Sequence, residues 1–184
     1  NCGNVLNKLG RPAEALASFA EALRLNPNSA EANNNSGDVL HRQGKYDEAA
    51  ARFSRALEIR PDYAEACNNL GNVLVDLGRP QEALEKFNAA LRTNPRFVQA
   101  NYNLGDTLRS LGRMNEAVHC FEKAIELKSD YAEAYNGLGA TLNDQGFHRK
   151  AIQAIRKAIQ LNPALAGAHN NLGNALSDQG LHDE

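Results

Sequence analysis

The chain has 184 residues, of which 42% are hydrophobic, 23% charged and 6% aromatic, with no Trp. This apolar share can fill a core, yet no run approaches the ~20 consecutive apolar residues of a membrane-crossing helix. Net charge is −2, from 20 basic and 22 acidic residues, which disfavours both a strongly basic nucleic-acid binder and an acidic disordered tail.

Read from the first residue, the chain repeats itself. Gly3, Gly37, Gly71, Gly105, Gly139 and Gly173 are 34 residues apart, and so are Gly10, Gly44, Gly78, Gly112, Gly146 and Gly180. Ala15, Ala49, Ala83, Ala117 and Ala151 keep the step, as do Ala22, Ala56, Ala90, Ala124 and Ala158. Phe19, Phe53, Phe87 and Phe121 follow it, with Ile155 in the fifth place. Pro27, Pro61, Pro95 and Pro163 do so too, with Ser129 as the exception. A fixed period of this length indicates a solenoid of stacked supersecondary units.

With Ala30 as position 1, the chain divides into a partial repeat 1–29, full repeats 30–63, 64–97, 98–131 and 132–165, and a partial repeat 166–184. Each repeat is predicted to hold two helices. The first runs over about positions 1 to 14, with a helical apolar stripe such as Ala66, Leu70, Val73, Leu74 and Leu77. The following glycine ends it, because glycine takes positive φ freely. Pro12 and Pro80 lie two residues beyond, where a missing N–H costs nothing at a helix start. The second helix buries rows such as Ala83, Leu84, Phe87, Ala90 and Leu91 and stops at the step into Pro95. Gly at position 8 and Ala at positions 20 and 27 allow close approach of the two helices, with Phe filling the space beside them.

At Leu70-Gly71, Ala83, Phe87, Ala90 and Pro95 the chain resembles the tetratricopeptide repeat family. The positions of that family's Trp and Tyr are filled by other residues here. The run Asn-Asn-Leu-Gly-Asn, at 68–72 and again at 170–174, is similar to repeats of O-linked N-acetylglucosamine transferases and their bacterial relatives. The resemblance implies an all-α fold: a right-handed superhelical α-solenoid of helix-turn-helix units. Its first helices would line a concave groove that binds extended peptides or helices of partner proteins.

Asparagine is unusually abundant, with 22 residues, although it costs a helix interior roughly 0.6 kcal/mol relative to Ala. On a wheel of about 100° per residue, positions 2, 6, 9 and 13 form a stripe beside the buried one. Position 6 holds Asn1, Asn35, Asn69, Asn103, Gly137 and Asn171; position 9 holds Asn4, Asp38, Asn72, Asp106, Ala140 and Asn174. The adjacent position 5 holds Asn34, Asn68, Tyr102, Asn136 and Asn170. A side-chain amide both donates and accepts, so it suits the C=O and N–H of an extended chain. The resemblance to the transferase repeats implies an asparagine ladder of this kind. The candidate peptide-binding residues are Asn35, Asn69, Asn103, Asn171, Asn72, Asn174, Asp38, Asp106, Asn68 and Tyr102. Gly137 interrupts the ladder, so a weak or bent contact is expected in repeat 132–165. The same amides also suit bonds between neighbouring helices, and both readings stand at this point.

Catalytic residues, metal ligands and cofactors are not expected. Cys2, Cys67 and Cys120 form no CxxC, and no two histidines lie three or four residues apart. Unpaired cysteines suggest a reducing compartment and a cytoplasmic location. A chaperone-tail clamp, which by family analogy needs Lys at position 5, is disfavoured by Asn and Tyr there. Nucleic acid is disfavoured too, because the basic residues of the second helices read as interleaved with Glu. The leading expectation is a protein-interaction scaffold. The alternative is a substrate-recognition region of a larger glycosyltransferase whose catalytic domain lies elsewhere. Neither end carries a polar cap, so the chain reads as a segment of a longer protein, with apolar ends that could stack molecule on molecule.

Overall fold

The structure is a computed structural model that describes residues 2–180, Asn4 through its backbone alone. Among the described residues it holds eleven helices and no strand. They are α1 (Cys2–Lys8), α2 (Pro12–Leu25), α3 (Ala30–Arg42), α4 (Tyr46–Ile59), α5 (Ala64–Asp76) and α6 (Pro80–Thr93), then α7 (Val98–Ser110), α8 (Met114–Leu127), α9 (Ala132–Asp144), α10 (His148–Leu161) and α11 (Ala166–Asp178). Contacts divide the chain into two compact units, Asn1–Pro95 with α1–α6 and Arg96–Glu184 with α7–α11. In the first unit α2 packs on α3 and α4 on α5; in the second α8 packs on α9 and α10 on α11.

Each hairpin turns on the predicted glycine. Gly44 has φ 74° and Gly78 φ 71°, values that cost other residues about 1–2 kcal/mol. The Gly44 N–H donates to the His41 carbonyl at 2.9 Å, and the Lys45 N–H donates to the Leu40 carbonyl at 3.0 Å. This pair of reverse bonds closes the last turn of α3 and satisfies carbonyls that the helix leaves open. The same long bond recurs from Arg79 to Leu74 at 2.8 Å, and from Arg113 to Leu108 and Phe147 to Leu142 at 2.9 Å.

The second helices end in extended backbone, as a following proline requires. Arg60, before Pro61, has φ −134° and ψ 91°. Lys128, before Ser129, has φ −142° and ψ 94°, so the stop holds without proline. In the first four hairpins the position-8 glycine lies under an aromatic ring. A Cβ on Gly37 would stand 2.8 Å from the Phe53 ring, and one on Gly71 would stand 2.5 Å from that of Phe87. In the fifth repeat Gly139 meets Ile155 in the same way, at 2.4 Å. The rings themselves are buried, together with Ala49, Ala83, Ala117 and Ala151.

The first helices are covered more widely than the single-helix wheel implied. Positions 4 and 5 are buried as well: Asn33, Asn34, Cys67, Asn68 and Asn101. The face taken as open at position 5 is therefore closed in α3 and α5. A wheel drawn for one helix leaves out the neighbouring repeat that packs against it. Burial also pushes the Cys120 thiol up to about 11 and raises that of Cys67.

Candidate functional site

The amides of the first helices meet in pairs offset by one repeat plus one residue. In the first unit the Asn69 Nδ2 donates to the Asn34 Oδ1 at 3.1 Å. In the second, the Asn171 Nδ2 donates to the Asn136 Oδ1 at 2.9 Å. Position 6 of one repeat thus braces position 5 of the repeat before it. Within a helix the position-5 amide leans on its neighbour: the Nδ2 atoms of Asn34 and Asn68 lie 3.5 Å from the Oδ1 atoms of Asn35 and Asn69. Asn34 and Asn68 are each 5% exposed, whereas Asn35, Asn69, Asn103 and Asn171 are half-buried. In the first unit the rail has a closed inner rung at position 5 and an accessible outer rung at position 6, whereas in the second Asn136 is half-buried like its partner Asn171 and Asn170 is exposed.

One pair departs from this pattern, and packing explains it. Tyr102 replaces asparagine at position 5, and Gly137 replaces it at position 6. A Cβ on Gly137 would come 2.6 Å from the Phe121 ring, so the site has no room for a side chain. Tyr102 stacks at a tilt on Phe121 and Tyr131, with ring centroids 5.8 and 5.3 Å apart. Burial, with Asp106 nearby, pushes its phenol up to about 12. Here an aromatic stack replaces the amide brace.

The position-9 residues lie one turn further along. Asp38 and Asn72 are half-buried, and Asp106 and Asn174 are exposed. Asp38 accepts from Asn7 of the preceding repeat at 3.3 Å and pairs with Arg42 at 3.2 Å. Asn1 lies outside the described residues, as does the side chain of Asn4. The ten candidates therefore fall into four settings. Asn35, Asn69, Asn103 and Asn171 form the outer rung, and Asp38, Asn72, Asp106 and Asn174 the next turn. Asn68 is sealed inside, and Tyr102 is held in the aromatic stack.

The sequence reading missed a second rail. Position 12 of one repeat reaches position 13 of the next. The His41 Nε2 lies 2.6 Å from the Asp76 Oδ2, the Arg109 Nη1 donates to the Asp144 Oδ2 at 3.1 Å, and the Asn143 Nδ2 donates to the Asp178 Oδ2 at 2.7 Å. Each pair spans 35 residues, as the amide pairs do. A search for polar partners at that separation would have found both rails. No cluster of three His, Cys, Asp or Glu side chains suited to a metal occurs among the described residues. Nor is any helix there long and apolar enough to cross a membrane.

Comparison with known proteins bears on this geometry. The tetratricopeptide repeat family model matches residues 3–64 and 68–132, and a TPR repeat model matches residues 141–180. No curated protein sequence matches the chain. Among solved structures the chain is similar to YrrB, described as a TPR protein with an unusual peptide-binding site. That match has 28% identity and a TM-score of 0.74, and covers 91% of this chain and 87% of YrrB. MamA from Desulfovibrio magneticus RS-1 shares the fold at 24% identity and a TM-score of 0.79, covering 90% of this chain and 93% of that one. PilW, a type IV pilus biogenesis factor, shares it at 24% identity and a TM-score of 0.89, covering 98% and 86%.

Proposed function

Because the chain belongs to the tetratricopeptide repeat family, we propose that it is a non-catalytic scaffold that binds an extended segment of a partner protein. The binding surface is the first-helix face, at Asn35, Asp38, Asn69 and Asn72 in the first unit and at Asn103, Asp106, Asn171 and Asn174 in the second. One observation carries this reading. The outer-rung amides are half-buried and each braced amide donates only one N–H to the neighbouring repeat. A primary amide has two N–H donors and an oxygen with two lone pairs, so Asn69 and Asn171 retain capacity for a peptide backbone. The brace also fixes their orientation, which lowers the ordering cost of binding. YrrB, with its peptide-binding site, supports the same use of the fold.

A second reading is favoured by the Asn-Asn-Leu-Gly-Asn runs at 68–72 and 170–174. It gives this face the task of presenting an acceptor chain to a glycosyltransferase domain.

The test is binding to a peptide array by the parent chain and by two variants, Asn69→Ala with Asn171→Ala and Asn72→Ala with Asn174→Ala. Both should lose about tenfold or more in affinity while keeping their helical circular dichroism. Parent-like binding by the second variant, which leaves the brace intact, would overturn the reading.

A further inference from the structure

The fifth repeat carries a surface that the other repeats lack. In four repeats the residue before the second helix is basic and pairs with a glutamate three residues on. These pairs are Arg11–Glu14 at 2.6 Å, Lys45–Glu48 at 3.9 Å, Arg79–Glu82 at 2.6 Å and Arg113–Glu116 at 2.7 Å. In the fifth, both members change: the basic place is Phe147 and the glutamate place is Lys150. The Lys150 ammonium lies 5.7 Å from the centre of the Phe147 ring. Phe147 is nevertheless 54% exposed. Beside it is an open hollow of about 380 Å³, lined by Gly146, Phe147, His148, Arg149, Lys150 and Gln179.

The charged side chains that line this hollow, Arg149 and Lys150, are both basic. No acidic residue occurs between Asp144 and Asp178, and those two accept from Arg109 and Asn143 respectively. Helix α10 buries Ala151, Ile152, Ile155 and Ala158. Its opposite side carries Arg149, Lys150, Gln153, Arg156, Lys157 and Gln160, which fall within about 120° of one another at helical spacing. The interleaving of basic residues with glutamate expected for the second helices therefore fails here, although it holds in α2, α4, α6 and α8. The Lys157 Nζ donates to the Gln160 Oε1 at 3.1 Å, which leaves its charge uncompensated by that partner.

We infer that the outer side of α10, together with the hollow at Phe147, is a second docking surface, for an acidic peptide segment carrying an apolar side chain. The carboxylates match the Arg149 and Lys150 end of the stripe, and the apolar side chain fills the hollow against the Phe147 ring. A discrete hollow beside one exposed aromatic suits an inserted side chain. Gln153 and Gln160 dilute the cations along the stripe and offer amides for a peptide backbone. Both features favour a peptide over a lipid surface or a nucleic-acid backbone. This surface is separate from the first-helix face and does not depend on the function proposed for it.

The probe is a fluorescent peptide rich in Asp and Glu with one central Phe, followed by anisotropy on the whole chain. The expected result is binding that weakens as salt rises. It should fall about tenfold or more in Phe147→Arg with Lys150→Glu, which restores the residue pair of the other repeats. Arg149→Glu should weaken it as well, as should replacing the peptide's Phe with Ser. Asn72→Ala with Asn174→Ala should leave it unchanged. Parent-like binding by both charge variants overturns the inference. So does loss of binding in the Asn72 and Asn174 variant, which would move the peptide to the other face. Equal binding of a Lys-rich peptide overturns it too, as does binding of phosphatidylserine vesicles or a single-stranded oligonucleotide in place of the acidic peptide.

Discussion

At the scale of single residues, the glycines divide into those that packing requires and those it does not. A methyl on Gly71 would collide with the Phe87 ring at 2.5 Å. Overpacking of this kind costs about 1–3 kcal/mol, of which better helix propensity returns up to about 1. Gly71→Ala is expected to lower the urea midpoint. Gly173 lies inside α11 with nothing within 4 Å of an added Cβ, so Gly173→Ala should raise stability by up to about 1 kcal/mol. Parallel urea melts check both signs. The thiols divide in a similar way. Cys2 is exposed, whereas Cys67 and Cys120 are buried and raised. Iodoacetamide at mildly alkaline pH should modify Cys2 and spare the other two until the chain unfolds. The buried thiol also sets a direction with pH. Its folded value, about 11, lies above the usual 9.0. Its contribution to stability is therefore complete below about pH 9 and is lost as pH rises towards 11. Cys120→Ala should flatten that alkaline loss in melts run across this range.

At the scale of elements, the helix stops and the braces make separate predictions. Lys128 already has the backbone angles that precede proline in the other repeats. Ser129→Pro should therefore stabilise the chain by about 0.4–1 kcal/mol, by restricting the unfolded state; a higher melting temperature is the readout. Asn69→Ala leaves the Asn34 oxygen without its donor from the next repeat, at a cost of about 1–3 kcal/mol for a buried acceptor. Improved helix propensity offsets roughly 0.6 kcal/mol of this. A chemical melt should show a net loss, and an unchanged midpoint would mean that the bond is not structural.

The hairpins, their glycine turns and the Phe or Ile side chain over the position-8 glycine of the first five repeats were legible in the sequence, because all follow from one period and from local backbone rules. The role of Asn34 and Asn68 was not. The wheel places them at the edge of an open face, but their burial comes from the neighbouring repeat. The pairing of Asn34 with Asn69, and of His41 with Asp76, depends on the one-residue advance between stacked first helices, which no single helix records. Phe147 and Lys150 stood in the sequence as departures from the period. What they form became clear only with the exposure of the ring and the hollow beside it.

At the scale of the whole molecule, the net charge of −2 averages over unlike surfaces. The second helices of the first four repeats alternate both signs, whereas the segment between Asp144 and Asp178 carries only positive charge. The core is equally local. Buried clusters form within neighbouring hairpins, one around Ala15, Phe19 and Val39 and another around Ile152, Ile155 and Ala168. In a repeat array, damage is felt first by nearest neighbours. Phe53→Ala should cost about 3–5 kcal/mol, and hydrogen exchange should show the loss of protection chiefly in α3, α4 and α5, with α9 and α10 much less affected. Equal loss in all helices would show that the chain opens as one cooperative block.

The 35-residue reach of the braces also bears on how such a chain changes length in evolution. A duplicated copy of residues 30–63, inserted after residue 63, would set Asn34 against the copy's asparagine at position 6 and the copy's own position-5 asparagine against Asn69. Each new junction of the amide rail would arrive with both partners already matched. Gain or loss of one or a few residues inside a first helix would shift donor past acceptor and leave buried amides unpaired. The rail therefore acts as a reading frame at the level of the fold: it permits growth by whole repeats and penalises a shift of register within the first helices.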